Sequence, residues 1–306
     1  HAPNCFHCHA PHAAKPRIVR DALIQALTRP EADTLWHKDP NRTKITVMDM
    51  GVRGYTRKIA LLEKYDTRLQ CGQCHVEYNC NPGYDPKNPD TSKYSVTMAD
   101  RRTNHFPYKE VFDLYDHYVN QVGFLDFKHT LTGGLLWKAQ HPEAETFYNS
   151  KHSKAGVSCN DCHTPKVKDA ATGKTITSHF PTSPRNQIKE TCLACHPNWT
   201  EEQARYAIDS IKAFIKGKMR KAEFWLVAII DKIVEAKKAG LDPSIIKQAQ
   251  DQHLRAHILW EWWTAENSDG FHNPEMARES LTRSVDEAQK GIKIINDAMA
   301  PKTASK

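Results

Sequence analysis

The sequence predicts a mainly α protein with little strand, and three observations carry that expectation. From about Thr200 onward, apolar residues recur at three and four over three long stretches, 200–238, 243–266 and 274–299. The first stops before Gly240, the second near "NSDG", and the third begins at Pro274, each a recognised boundary signal. Strand signals are sparse throughout. The region before Thr200 is rich in Pro, Gly, Asn and Asp and holds all nine cysteines, so a bound group is expected to fill much of its interior.

Shorter helices are predicted at "RIVRDALIQAL" and "VRGYTRKIALLEKYDTRL", where apolar positions again fall three and four apart. The chain of 306 residues is long enough for one large domain or two ordinary ones. The composition divides it into residues 1–199, which carry the cysteines, and residues 200–306, the long helices, with packing and dimerisation as their expected roles. No window approaches the roughly 18 apolar residues that span a bilayer. The start, "HAPNCFHCHAP", has no basic segment followed by an apolar one, so no export signal is read there.

Eight cysteines pair as Cys5/Cys8, Cys71/Cys74, Cys159/Cys162 and Cys192/Cys195, and each pair is followed at once by histidine, in "CFHCH", "CGQCH", "CNDCH" and "CLACH". Two thiols three apart on a helical turn reach the two vinyl groups of a haem, and the next imidazole lies under the iron. Four copies using eight of nine cysteines make zinc sites or structural disulfides poor alternatives. The fold expected is therefore a multihaem c-type one, with a haem-filled N-terminal region and long C-terminal helices. His9, His75, His163 and His196 are the proximal ligands. Attachment of c haem takes place outside the cytoplasm, so a periplasmic or other extracytoplasmic location is expected.

The formal charge of +7 would raise nucleic acid as a partner. Four haems with their propionates shift that total by roughly −4. The basic residues are also spread out and form no block, which argues against a nucleic-acid footprint.

"CGQCHVEY", then "KAQHPEAETF" some sixty residues on, then "CNDCHTPK" and "TCLACH", resembles the multihaem ammonia-forming cytochrome c nitrite reductases in order and spacing. "RIVRDALIQAL" and "GFHNPE" extend the likeness over essentially the whole chain. The resemblance implies an oxidoreductase that reduces nitrite to ammonium, with Tyr78 and His141 lining the distal pocket of the substrate haem. It implies a calcium ion beside that pocket, held by Glu77, the side chain of Gln140 and the backbone carbonyls of Tyr78 and Lys138. It implies that His179, His272 and His152 are the distal ligands of the haems on His9, His163 and His196, and it leaves the distal ligand of the His75 haem unassigned. The partners it implies are a periplasmic or membrane-associated electron donor and a second copy of the chain.

The sequence departs from that pattern in one respect. The substrate haem of the family is attached through C-x-x-C-K, and this chain has no such motif, so the catalytic haem and the pocket arginine are expected before His1. The likeness is then to the C-terminal part of a longer enzyme. Cys80, the ninth cysteine, lies two residues beyond Tyr78. In the octahaem branch of the family a cysteine so placed is bonded through sulfur to the tyrosine ring, and the same Tyr78–Cys80 thioether is expected here. Two other functions stay open from the sequence: a tetrahaem electron carrier with no reaction centre of its own, and a related enzyme acting on hydroxylamine or sulfite.

Overall fold

The structure, a computed structural model, describes residues 4–300 other than Arg53, and only the main chain of Val52. The long-helix pattern appears where the periodicity puts it, in helices Glu201–Lys238, Pro243–Ala265 and Pro274–Met299. Asp242 caps the second by accepting from the Ser244 N–H at 2.7 Å, and Pro243 occupies its first position, where no amide hydrogen is needed. Strand is confined to short pieces and one hairpin, in keeping with a mainly α fold.

The hairpin corrects one expectation. Residues read as a helix in "VRGYTRKIALLEKYDTRL" form strand Tyr55–Leu62, antiparallel to Ile45–Val52 with Ile45 opposite Leu62 and Val52 opposite Tyr55. Gly54, at φ +84°, lies in the turn, a conformation that glycine adopts at little cost. The apolar run Ile59–Leu62 satisfies a strand buried on both faces as well as it satisfies a helix, and pairing decides between them. Among the described residues of that stretch only its last three, 67–69, are helical, as the start of helix Thr67–Cys71, with Asp66 accepting from the Arg68 N–H. In "RIVRDALIQAL" the first two residues, Arg17–Ile18, pair with Ala60 and Leu61, and the helix begins at Asp21.

The chain forms two compact units, each discontinuous in sequence. One comprises residues 1–76, 143–214 and 271–273. Its apolar interior includes Ile18, Leu23, Ile24 and Leu27 of the short helix, Leu35, and Ile59, Ala60 and Leu62 of the hairpin. The other comprises residues 77–142, 215–270 and 274–306. There the last two helices pack along each other, and Gly291 lets a third approach: a Cβ at that position would lie 2.3 Å from Ile229 Cδ1 and 3.0 Å from Gln252 Cβ. Trp262, Trp263, Tyr118, Trp137 and Phe124 fill the core of this unit. Among the described residues, no helix is long and apolar enough to cross a membrane.

Candidate functional site

All four C-x-x-C-H motifs lie in the first unit. Three close a single turn in which the histidine N–H donates to the carbonyl of the first cysteine: His9 to Cys5, His75 to Cys71 and His196 to Cys192, each at 2.9 Å. The other is the helix Cys159–His163, begun by a capping box between Ser158 and Asp161. Among the described residues, no two cysteines are joined in a disulfide.

Successive motifs adjoin in space. Cys8, with its pKa raised by burial and by Cys74, links the first motif to the second. The Cys159 N–H donates to Thr67 Oγ1 at 3.1 Å, in the helix that ends at Cys71, and this joins the second motif to the third. Cys162, pushed up to about 12 by burial and by Cys192 and Cys195, joins the third to the fourth. Haem sites set out in this way form an unbroken series through one unit.

The ring positions fit iron ligation best at one pair. His163 and His272 have centroids 6.2 Å apart with planes at 68°. A metal–imidazole bond of about 2 Å and a ring radius of about 1 Å on each side would set two trans ligands about 6 Å apart. The tautomer is fixed as well. His163 Nδ1 donates to the Thr182 carbonyl at 3.0 Å, so the lone pair of Nε2 is left for a metal. Burial lowers the pKa of this imidazole, which suits a neutral ligand. Asn273, buried beside His272, donates from Nδ2 to the Thr146 carbonyl at 3.1 Å and ties the ligand loop to helix Glu143–Tyr148, whose Phe147 meets His272 edge-on.

The other expected ligands are placed less closely. His75 Nδ1 donates to Glu143 Oε2 at 3.3 Å, a bond that raises its pKa against the effect of burial. His179 is exposed, with Nδ1 donating to the Thr177 carbonyl at 3.1 Å. His196 stacks on Trp199 at 4.5 Å, and His152 lies 6.4 Å from the Phe271 ring.

Glu77, Tyr78, Cys80, Lys138, Gln140 and His141 all belong to the second unit. Glu77 is fully buried, and its Oε2 accepts from the Gln140 N–H at 2.7 Å. Gln140 Nε2 also reaches Cys80 Sγ at 3.6 Å. These two contacts bring segments sixty residues apart together, with Tyr78 and His141 each one residue from the Glu77–Gln140 bond. Tyr78 is half-buried, its ring 5.6 Å from that of Phe106, while Cys80 and His141 are exposed.

The segment bearing Lys138, Gln140 and His141 is held at four consecutive backbone positions. The Trp137 carbonyl accepts from His257 Nε2 at 2.9 Å, and the Lys138 N–H donates to Asp126 Oδ2 at 2.9 Å. The Ala139 N–H donates to the Glu261 carboxylate, and that of Gln140 to Glu77. Burial pushes the Asp126 carboxyl up to about 7, with the Lys138 amide opposing it, and burial raises Glu261 as well. The site thus rests on Asp126, His257 and Glu261, which sequence reading did not identify. Glu143 was missed too, although it follows His141 by two residues in "HPE".

The donors fit calcium in kind. They are one buried carboxylate, a side-chain amide and two backbone carbonyls, all hard oxygen atoms, and a carboxylate withdrawn from water needs a nearby positive charge.

A family model described as cytochrome c552 matches residues 1–306. The cytochrome c nitrite reductase subunit NrfA of Nitratidesulfovibrio vulgaris (strain Hildenborough) is 29% identical over 320 residues, which cover 97% of this chain and 53% of that protein. Cytochrome c-552 of Haemophilus influenzae (strain Rd) is 29% identical over 218 residues, covering 71% of this chain and 37% of the relative. Among solved structures, the NrfA catalytic subunit of the Desulfovibrio desulfuricans cytochrome c nitrite reductase, described with two calcium sites, superimposes with a TM-score of 0.73 at 26% identity. That match covers 97% of this chain and 57% of the other. The chain thus spans about half the length, or less, of the relatives it matches.

Proposed function

The chain belongs to the cytochrome c552 family, and on that footing we propose that it serves a cytochrome c nitrite reductase, contributing four c haems and the Tyr78–His141 wall of the pocket in which nitrite is reduced to ammonium. The observation that carries this reading is the Glu77–Gln140 bond of 2.7 Å, because it joins the two segments that bear Tyr78 and His141. The matching NrfA relatives supply the substrate.

Haem, when bound, supplies one-electron storage at each site and an iron atom to which nitrite can bind. The rest falls to side chains. His9, His75, His163 and His196 would each hold one haem iron. His179, His272 and His152 would be second ligands to the irons of His9, His163 and His196. Conversion of one nitrite takes six electrons and eight protons and yields ammonium and two waters, so the pocket must hand over protons near neutral pH. Tyr78 offers a hydroxyl donor and His141 an imidazole that can both donate and accept a hydrogen bond. Glu77, Gln140 and the carbonyls of Tyr78 and Lys138 hold calcium and keep the two segments in register.

Cys80 bonded through sulfur to a ring carbon of Tyr78 belongs to the same reading, since it would fix the direction of the phenol. The location proposed is the periplasm, where c haems are attached and a periplasmic or membrane-associated donor can supply electrons to a homo-oligomer of the enzyme.

The test is the yield of ammonium from nitrite with a reduced dye as donor. The unmodified enzyme should consume six electrons per nitrite, and Tyr78→Phe and His141→Ala should each lower the rate by about a hundredfold or more with the haem count unchanged. Full activity in both variants would remove the pocket assignment. No consumption of nitrite at all would favour an electron carrier.

A further inference from the structure

We propose that Glu143 sets the redox poise of the haem on His75, holding its potential below that of the adjacent haem on His163, so that an electron shared by the two rests on the His163 side. The inference rests on the reading of His75 and His163 as iron ligands and adds to it a residue that governs how the two sites differ.

The two proximal imidazoles differ in exposure, His75 being the more exposed, and in what Nδ1–H meets. For His75 it is the carboxylate of Glu143 at 3.3 Å, and for His163 it is the backbone carbonyl of Thr182 at 3.0 Å. A carboxylate carries a full negative charge and draws the shared proton, which gives the imidazole part of the character of imidazolate. A carbonyl is a neutral dipole and draws it far less. The imidazolate-like ring is the stronger electron donor to iron, and the carboxylate adds its own field. Both effects favour Fe(III) over Fe(II). The couple is Fe(III) + e⁻ ⇌ Fe(II); the proton stays between Nδ1 and Oε2, and no bond to iron is made or broken.

Placement makes the effect strong. Glu143 is 8% exposed, so its charge acts through protein more than through water. The contact is held from the main chain as well, because the Ala144 N–H donates to the His75 carbonyl at 3.0 Å. The start of helix Glu143–Tyr148 is therefore fastened to His75 at two points. The two haem motifs adjoin, because the Cys159 N–H donates at 3.1 Å to Thr67 Oγ1 of the helix that ends at Cys71, so a difference in poise would govern where an electron shared between the two haems rests.

The experiment is a redox titration of the haem-loaded protein followed by visible and EPR spectra. The His75 component is identified as the one that vanishes in the Cys71→Ser/Cys74→Ser variant. The His163 component is the one that turns high-spin in His272→Ala. In the unmodified protein the His75 component should be the lower of the two. In Glu143→Gln, with the haem count unchanged, it should rise by at least tenfold in the ferrous-to-ferric ratio at fixed potential, about 59 mV for one electron, while the His163 component stays where it was. An unmoved His75 component, or the opposite order in the unmodified protein, would overturn the proposal even if Glu143→Gln failed to load haem. If His272→Ala leaves every haem low-spin, or the cysteine variant loses none, the ligand reading fails and the proposal falls with it.

Discussion

His163 and His272 meet edge to face with ring centroids 6.2 Å apart, and His163 is held in one tautomer by Thr182. The two rings are far apart in sequence, and their spacing leaves room for the haem iron proposed to lie between them. His272→Ala should therefore convert one haem from low to high spin, seen in the visible bands and in EPR, with the remaining haems unchanged. His152→Ala and His179→Ala should each do the same for a different haem. Unchanged spectra in all three would end the distal assignments.

Calcium removal should act on the pocket before it acts on the haems. Glu77→Ala deprives the buried Gln140 N–H of its acceptor and should cost about 1–3 kcal/mol of stability. Elemental analysis should find calcium in the unmodified protein and less in the variant, and nitrite reduction should fall further than haem content does. Active protein free of calcium would show that the donors serve another purpose.

The histidines of the second unit predict an acid limit. His253 is 1% exposed and meets His129 and His257 through ring edges. Burial lowers its pKa to about 3, and that of His257 to about 4 against the bond to Trp137. A histidine depressed in this way is neutral when folded and takes a proton only on unfolding. Its contribution is complete above about pH 6.5 and is lost as the pH falls toward the folded-state value. Between pH 7 and pH 5, denaturant unfolding of the unmodified protein should therefore lose about 2 kcal/mol more than that of His253→Phe. Parallel losses would mean that His253 is already protonated when folded.

The thioether prediction is a mass. A peptide spanning residues 71–80 should be two hydrogens lighter than its sequence plus haem, and Cys80 should resist alkylation after denaturation. An alkylated Cys80 beside an intact Tyr78 would refute the bond and leave the thiol with only its contact to Gln140.

The sequence made the long helices legible because amphipathic period, Pro243, Pro274 and Gly240 all mark the same boundaries. The haem motifs were legible because attachment needs a fixed local spacing. The hairpin was not, since Ile59–Leu62 is apolar enough for either conformation and its partner strand begins at Ile45. Asp126, His257 and Glu261 were hidden for a different reason. Their role lies in contacts with residues 137–139 that no local pattern records, and each reads alone as an ordinary polar residue.

The four backbone contacts along residues 137–140 bear on which substitutions this chain can accept. At 138, 139 and 140 the amide hydrogen is already given to a carboxylate, from Asp126, Glu261 and Glu77 in turn. Proline, which has none to give, is barred from all three positions whatever its effect on the chain direction. A single-residue deletion in the same stretch would hand each carboxylate the wrong amide and slide His141 out of alignment with Tyr78. Length is therefore fixed there more strictly than side-chain identity, and exposed Lys138 could vary freely so long as its main chain stayed in place.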